Sequence, residues 1–221
     1  MYTVKIESIE KLTHDVLRIV TEKPPNYSFV PGQATEISIN KDLWRNELRP
    51  FTFTCLPESE YLEFVIKTYP SRERVTNQLL QLKAGEELIL HDVFGTIHYN
   101  GEGTFIAGGA GVTPFISIFR YLKSKKQIGN NKLIFANKKR ADIILEQEFN
   151  DLLGNNFINI LSAEESVGYS YGYISEIFLK TNITDLSKKI YVCGPEPMMS
   201  AVELQLSNLG VDPDVITKEK F

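Results

Sequence analysis

Cysteine is scarce in this sequence: only Cys55 and Cys193 occur in 221 residues. Two thiols are too few for an iron–sulfur cluster or a thiolate zinc site. A chain of this size needs no disulfide framework, so both are expected reduced. Histidine is as sparse. His14, His91 and His98 lie scattered, which argues against a metal site or histidine-based catalysis. Long hydrophobic runs are missing too. The longest mainly apolar stretch, residues 104–119, is broken by glycines and a proline and is too short to cross a bilayer. The opening residues hold no secretory apolar core. No membrane insertion and a cytoplasmic location are therefore expected. Charge of one sign is not in large excess either. The net charge of -4 gives no reason to expect nucleic acid as a partner.

What is present divides into two textures. Residues 1–100 read as β: segments 3–10, 16–22, 34–39, 50–55, 61–68 and 87–90 are short, rich in β-branched and aromatic residues, and separated by Pro24-Pro25-Asn26, Pro31-Gly32, Pro57 and Gly85. Strands at this spacing predict an antiparallel six-stranded β-barrel, interrupted by one helix at about 75–82. Residues 101–221 alternate instead. Strands are expected at 104–107, 132–136, 157–161, 189–193 and 215–217, with helices at 114–123, 141–153, 175–180 and 197–209, the last stopped by Gly210. That alternation predicts a Rossmann-like α/β domain around a parallel sheet. The boundary is expected at residues 99–103, where Asn100-Gly101-Glu102-Gly103 forms a polar, flexible break.

Three motifs carry chemistry. Gly108-Gly109-Ala110-Gly111-Val112-Thr113-Pro114 follows a strand and opens a helix. Its glycines let backbone approach a ligand, and free N–H groups at a helix start favour a pyrophosphate. Thr113 suits an N-cap and Pro114 the first helical position. Thr-Pro stands where the usual dinucleotide fingerprint has a third glycine. Cys193-Gly194-Pro195 ends a later strand, where ligands of open α/β sheets bind. Arg49-Pro50-Phe51-Thr52 offers a phosphate-binding guanidinium, an aromatic face and a hydroxyl. Taken alone, this last segment fits a flavin site and an ordinary edge strand equally well.

In content and order, these motifs make the chain resemble the ferredoxin–NADP reductase superfamily of flavoproteins along nearly its whole length. Pro31-Gly32-Gln33 and Glu219-Lys220-Phe221 also resemble that family's barrel turn and chain end. The resemblance implies that Arg49 holds a flavin phosphate, Phe51 stacks on the isoalloxazine and Thr52 hydrogen-bonds near its N5. Pro50 belongs to the same motif. Val65, Ile66 and Lys67 would line the flavin, and Val75 and Thr76 would cradle phosphate. Gly109, Gly111, Val112, Thr113, Pro114, Gly194 and Pro195 would hold the nucleotide. Cys193 would lie beside the nicotinamide, Glu219 near the hydride path, and Phe221 over the flavin. Thr52, Cys193, Glu219 and Phe221 are thus the catalytic candidates. Departures are Phe51 for a usual Tyr, Thr52 for Ser, and Arg74 where a Gly is usual.

The implied activity is hydride transfer from NAD(P)H to FAD, preferred over FMN on the resemblance alone. Single electrons would then pass to a carrier such as ferredoxin or flavodoxin, or to an oxygenase component. The alternative is a non-catalytic flavin- or nucleotide-binding redox sensor or electron-transfer subunit. Glu164 and Glu165 against Lys138, Lys139 and Arg140 tip the donor slightly towards NADH.

Overall fold

The computed structural model describes residues 1–69 and 75–219. It divides into two compact units. One comprises Met1–His98 and Thr113–Tyr121; the other comprises Tyr99–Val112 and the chain from Leu122 onward.

The first unit holds strands β1 (Tyr2–Lys11), β2 (Val16–Glu22), β3 (Ala34–Ile39), β4 (Arg49–Thr52), β5 (Tyr61–Lys67) and β6 (Glu87–Phe94), with the short helix α1 (Val75–Gln78) before β6. The order is β4-β3-β6-β1-β2-β5, and all five pairings are antiparallel. The ends of this order meet through a bridge between Phe53 and Phe64 and a hydrogen bond from the Thr54 amide to the Glu63 carbonyl at 2.8 Å. The sheet thereby closes, as the sequence pattern predicts. Apolar residues fill its interior. Phe53 and Phe64 are fully buried, and Phe53 stacks on Phe29 with centroids 4.2 Å apart. Each such side chain stabilises the fold by about 1.5–3 kcal/mol.

The second architecture is a parallel sheet. Its strands are β7 (Gly103–Gly108), β8 (Lys132–Asn137), β9 (Phe157–Leu161), β10 (Ser170–Tyr171), β11 (Lys189–Cys193) and β12 (Ile216–Glu219). Helices α2 (Thr113–Ser124), α3 (Glu146–Leu153), α4 (Glu176–Asn182) and α5 (Glu196–Asn208) connect them. The order is β10-β9-β8-β7-β11-β12, parallel throughout. The central strand β7 is buried along its whole length, which suits a sheet covered on both faces. Helix α5 ends in a Schellman arrangement: the Val211 amide donates to the Leu206 carbonyl and the Gly210 amide to that of Ser207, both at 3.0 Å.

Two local expectations are revised, and one strand was not foreseen. Residues 99–103 are polar and hydrogen-bonded to Tyr191. The Asn100 amide donates to the Tyr191 hydroxyl at 3.0 Å, which lies 2.8 Å from the Gly101 carbonyl. The helix expected from 141 begins at Glu146. Ile143 and Ile144 are both buried ahead of it. Leu145, at φ 54°, then redirects the chain. Thr113 is the first residue of α2, not the cap before it. Strand β10, two residues long, was too short to show any pattern.

Candidate functional site

In the second unit, the strand order reverses direction at β7. Strands β8 and β9 lie on one side, β11 and β12 on the other. A crevice at the carboxyl ends of the strands next to such a switch point is the ligand position in this architecture. Register sets Cys193 between Ala107 and Glu219 in one row across that end. The glycine loop rises from the same row as a 3-10 turn, Gly109–Val112. It packs backbone to backbone on the second motif. A Cβ at Gly111 would stand 2.3 Å from the Cys193 carbonyl oxygen, and one at Gly194 would stand 3.1 Å from the Gly108 amide. Gly109 is different. Its φ is +51° and a Cβ there would meet nothing within 4 Å, so its surroundings are open. The two motifs thus form one surface, and a dinucleotide phosphate fits the chemistry of that surface.

Both thiols stay protonated. Burial, with the Glu219 carboxylate adding to it, pushes the Cys193 thiol far up. Burial pushes Cys55 up to about 11. Cys193 can therefore pack against a ligand as a neutral group but is no nucleophile.

Two loops meet beyond β8 and β9. The Ser162 amide donates to the Asn137 carbonyl at 3.0 Å and the Ala163 amide to that of Lys138 at 2.9 Å. Glu164 accepts the Arg140 amide at 3.2 Å. The Arg140 guanidinium lies 5.3 Å from the Tyr169 ring centre and 3.6 Å from the Glu146 carboxylate. The acidic and basic clusters, which the sequence offered as rivals, are thus parts of one joined surface.

In the first unit, Phe53, the residue after β4, makes a single isolated bridge to Phe64 of β5 among the described residues. Beyond it, Arg49–Thr52 and Val65–Lys67 border a seam with no ladder across it. Unpaired strand edges with Thr52 next to the bridge on one side and Val65 on the other suit a flat ring carrying polar edge atoms. Arg49 is half-buried, held by the Leu48 carbonyl at 2.5 Å and Glu47 at 3.3 Å. Phe51 is partly buried against the barrel core, while Thr52 is buried. Lys67 pairs with Asp15 at 2.9 Å. Val75 is fully buried and Thr76 half-buried at the start of α1. Arg74 and the proposed Phe221 lid lie outside the described residues.

The sequence reading missed one cluster. Glu63, fully buried, accepts from Arg18 at 2.6 Å, Arg120 at 2.5 Å and the Thr54 hydroxyl at 2.7 Å. Burial opposes its charge, but Arg120, Thr54 and Arg18 together outweigh burial and hold its carboxyl below the ordinary value. The available signal was a polar residue in the otherwise apolar segment 62–66.

Comparison with known proteins agrees with this layout. The family profile described as FAD-binding domain matches residues 1–131, and that described as oxidoreductase NAD-binding domain matches residues 105–204. The glycine betaine monooxygenase reductase subunit of Pseudomonas aeruginosa is 28% identical over 91% of this chain and 58% of its own length. NADH–cytochrome b5 reductase 1 of Arabidopsis thaliana is 27% identical over 96% of this chain and 81% of its own. The chain thus spans little more than half of the first of these relatives. In fold it is similar to the flavohem-like FAD/NAD-binding domain of nitric oxide dioxygenase from Vibrio cholerae, with a TM-score of 0.87 at 20% identity over 99% of this chain and 98% of that one. It is also similar to a ferredoxin NADP+ reductase from Neisseria gonorrhoeae, with a TM-score of 0.85 at 15% identity over 99% and 97%. The chain belongs to the FAD-binding domain family, joined to an NAD-binding domain, within the ferredoxin–NADP reductase superfamily.

Proposed function

We propose that this protein is an NAD(P)H-dependent flavin oxidoreductase that uses FAD and passes single electrons to a protein carrier. The observation that carries the reading is the pair of prepared surfaces on one chain. One is the open barrel seam between Arg49–Thr52 and Val65–Lys67; the other is the glycine surface of Gly109, Gly111 and Cys193. Flavin, when bound, supplies the conversion between two-electron and one-electron chemistry. Arg49 would neutralise its phosphate, Phe51 would cover the ring, and the Thr52 hydroxyl would meet a ring nitrogen. Val65, Ile66 and Lys67 would offer backbone groups along the seam, with Val75 and Thr76 near the phosphates. Val112, Thr113, Pro114, Gly194 and Pro195 would complete the nucleotide surface. Cys193 would bring a neutral thiol against the nicotinamide, and Glu219 a carboxylate beside it. Phe221 would act as the lid.

The donor is NADH in this reading. Arg140 has Glu146 and Tyr169 as neighbours, while Glu164 adds a carboxylate to the loop surface beyond β8 and β9. A 2′-phosphate would face that carboxylate at a cost; a ribose diol would donate to it. A ferredoxin, a flavodoxin or an oxygenase component is the class of acceptor. Reductase components among the relatives support that choice.

An anaerobic absorbance titration tests the whole reading. The purified protein should show flavin bands that bleach with one equivalent of NADH and far more slowly with NADPH. A protein that takes up no flavin overturns it. Bound flavin reduced by neither nucleotide leaves only a binding role.

A further inference from the structure

Helix α2 buries its apolar residues Phe115, Ile116, Ile118, Phe119 and Leu122. It also carries a polar stripe, Thr113, Ser117 and Arg120, spaced to share one helix face. Each member reaches the short segment 52–55 or its neighbour Glu63, all within the first unit. The Thr113 hydroxyl donates to the Thr52 hydroxyl at 3.3 Å. Ser117 donates to the Cys55 carbonyl at 3.2 Å. Arg120 donates from a single nitrogen to the Thr54 carbonyl at 2.9 Å and to Glu63 at 2.5 Å.

Apolar contacts alone let a helix slide or turn slightly, because they have no preferred direction. Hydrogen bonds fix direction and distance. The three rungs are unequal. The Thr113–Thr52 contact is long and has little slack, whereas Arg120–Glu63 is short and charge-assisted, roughly twice as strong as a neutral bond. Glu63 is in turn anchored independently of α2, by Arg18, which also reaches Glu10 at 2.7 Å. The strong rung therefore governs the weak one.

We infer that Glu63 and Arg120 are positioning residues for Thr52: they set the placement of α2 along segment 52–55 so that the Thr113 hydroxyl engages that of Thr52. Where Thr113 is the donor of this pair, the single proton of Thr52 is left for another acceptor. This rests on the reading above, in which that proton points to a flavin nitrogen. Arg120 itself touches no reacting atom.

The test is a double-mutant cycle on the flavin-loaded full chain, with Arg120→Met, Thr113→Val and both together. Arg120→Met leaves Glu63 paired with Arg18 and Thr54. Each single variant should keep bound flavin, shift its absorbance and midpoint potential, and lower kcat for NADH-driven reduction about tenfold, with little change in KM for Arg120→Met. The double variant should be no worse than either single one, because both remove the same engagement. Arg120→Lys, able to reach both acceptors from one nitrogen, should restore most of the rate and the potential. Independent, additive losses overturn the inference, as do single variants with unaltered potential and kcat. If Arg120→Met does not fold, Arg120→Gln, which removes the charge but keeps a donor, takes its place in the cycle with the same criterion. The unsubstituted protein separates the two readings. If it takes up no flavin, the proposed function fails and this inference with it. If it is an active flavoprotein and the cycle is additive, only the positioning role fails.

Discussion

Glu63 shows how a single residue can set conditions for a whole site. Two guanidinium groups and a hydroxyl surround its carboxylate, and its ionised form is favoured in the folded state. A carboxyl whose folded pKa is depressed contributes stability above its unfolded pKa and loses it as pH falls through the folded one. Stability measured by urea unfolding should therefore decline below about pH 4.5 partly through Glu63, given a model-compound value near that figure. Glu63→Gln should flatten that acid limb. At neutral pH the same change leaves Arg18 and Arg120 facing an uncharged amide, and should cost about 1–3 kcal/mol, since both guanidinium groups are part-exposed and keep other partners. An acid limb identical to that of the unsubstituted protein would show that other carboxyls carry it. The only sign of this in the sequence was a Glu inside the otherwise apolar segment 62–66; its partner Arg120 lies 57 residues further on, and only the packing of α2 brings it there.

At the scale of elements, two glycines of the glycine loop, Gly109 and Gly111, make a contrast. Gly111 packs against the Cys193 carbonyl at a distance no Cβ tolerates, with Gly194 Cα only 2.6 Å from the same point. Backbone cannot yield there as a side-chain tip could. Gly111→Ala should therefore separate the two motifs and lower the thermal midpoint of the protein markedly. Gly109→Ala meets open space and bears only the cost of a left-handed conformation, about 1–2 kcal/mol. It should fold, with NADH affinity reduced by a methyl group on the open surface. Calorimetry with nucleotide titration checks both. Equal effects of the two substitutions on stability would mean the motifs are not packed as described. The existence of the loop was legible from its glycines and its strand–helix context. The unequal duties of those glycines were not, because the second motif lies more than eighty residues away and only strand register makes them neighbours. Likewise β3, β5, β9 and β11 were legible at or near their ends from periodicity, whereas the start of α3 was displaced by the left-handed turn at Leu145, which no periodicity signals.

For the whole molecule, the balance of 24 basic and 28 acidic residues bears on how a carrier of the proposed class would arrive. Two exposed lysines of the second unit are engaged in ion pairs. Lys188 pairs with Glu102 at 2.8 Å and Lys218 with Glu203 at 2.5 Å. Such pairs screen each other at a distance, which leaves the net negative charge to act on an approaching protein. An acidic carrier would then be repelled at long range, and salt would relieve the repulsion as the Debye length shrinks from about 30 Å at 0.01 M to about 8 Å at physiological ionic strength. Stopped-flow rates of electron delivery to an acidic ferredoxin or flavodoxin should accordingly rise over that range, while rates to a basic acceptor protein should fall. A steep fall with the acidic carrier would mean that a local basic surface overrides the net charge. The carrier's footprint would then have to include lysines whose partners are released on docking, and Lys188→Ala and Lys218→Ala would be the variants that slow it.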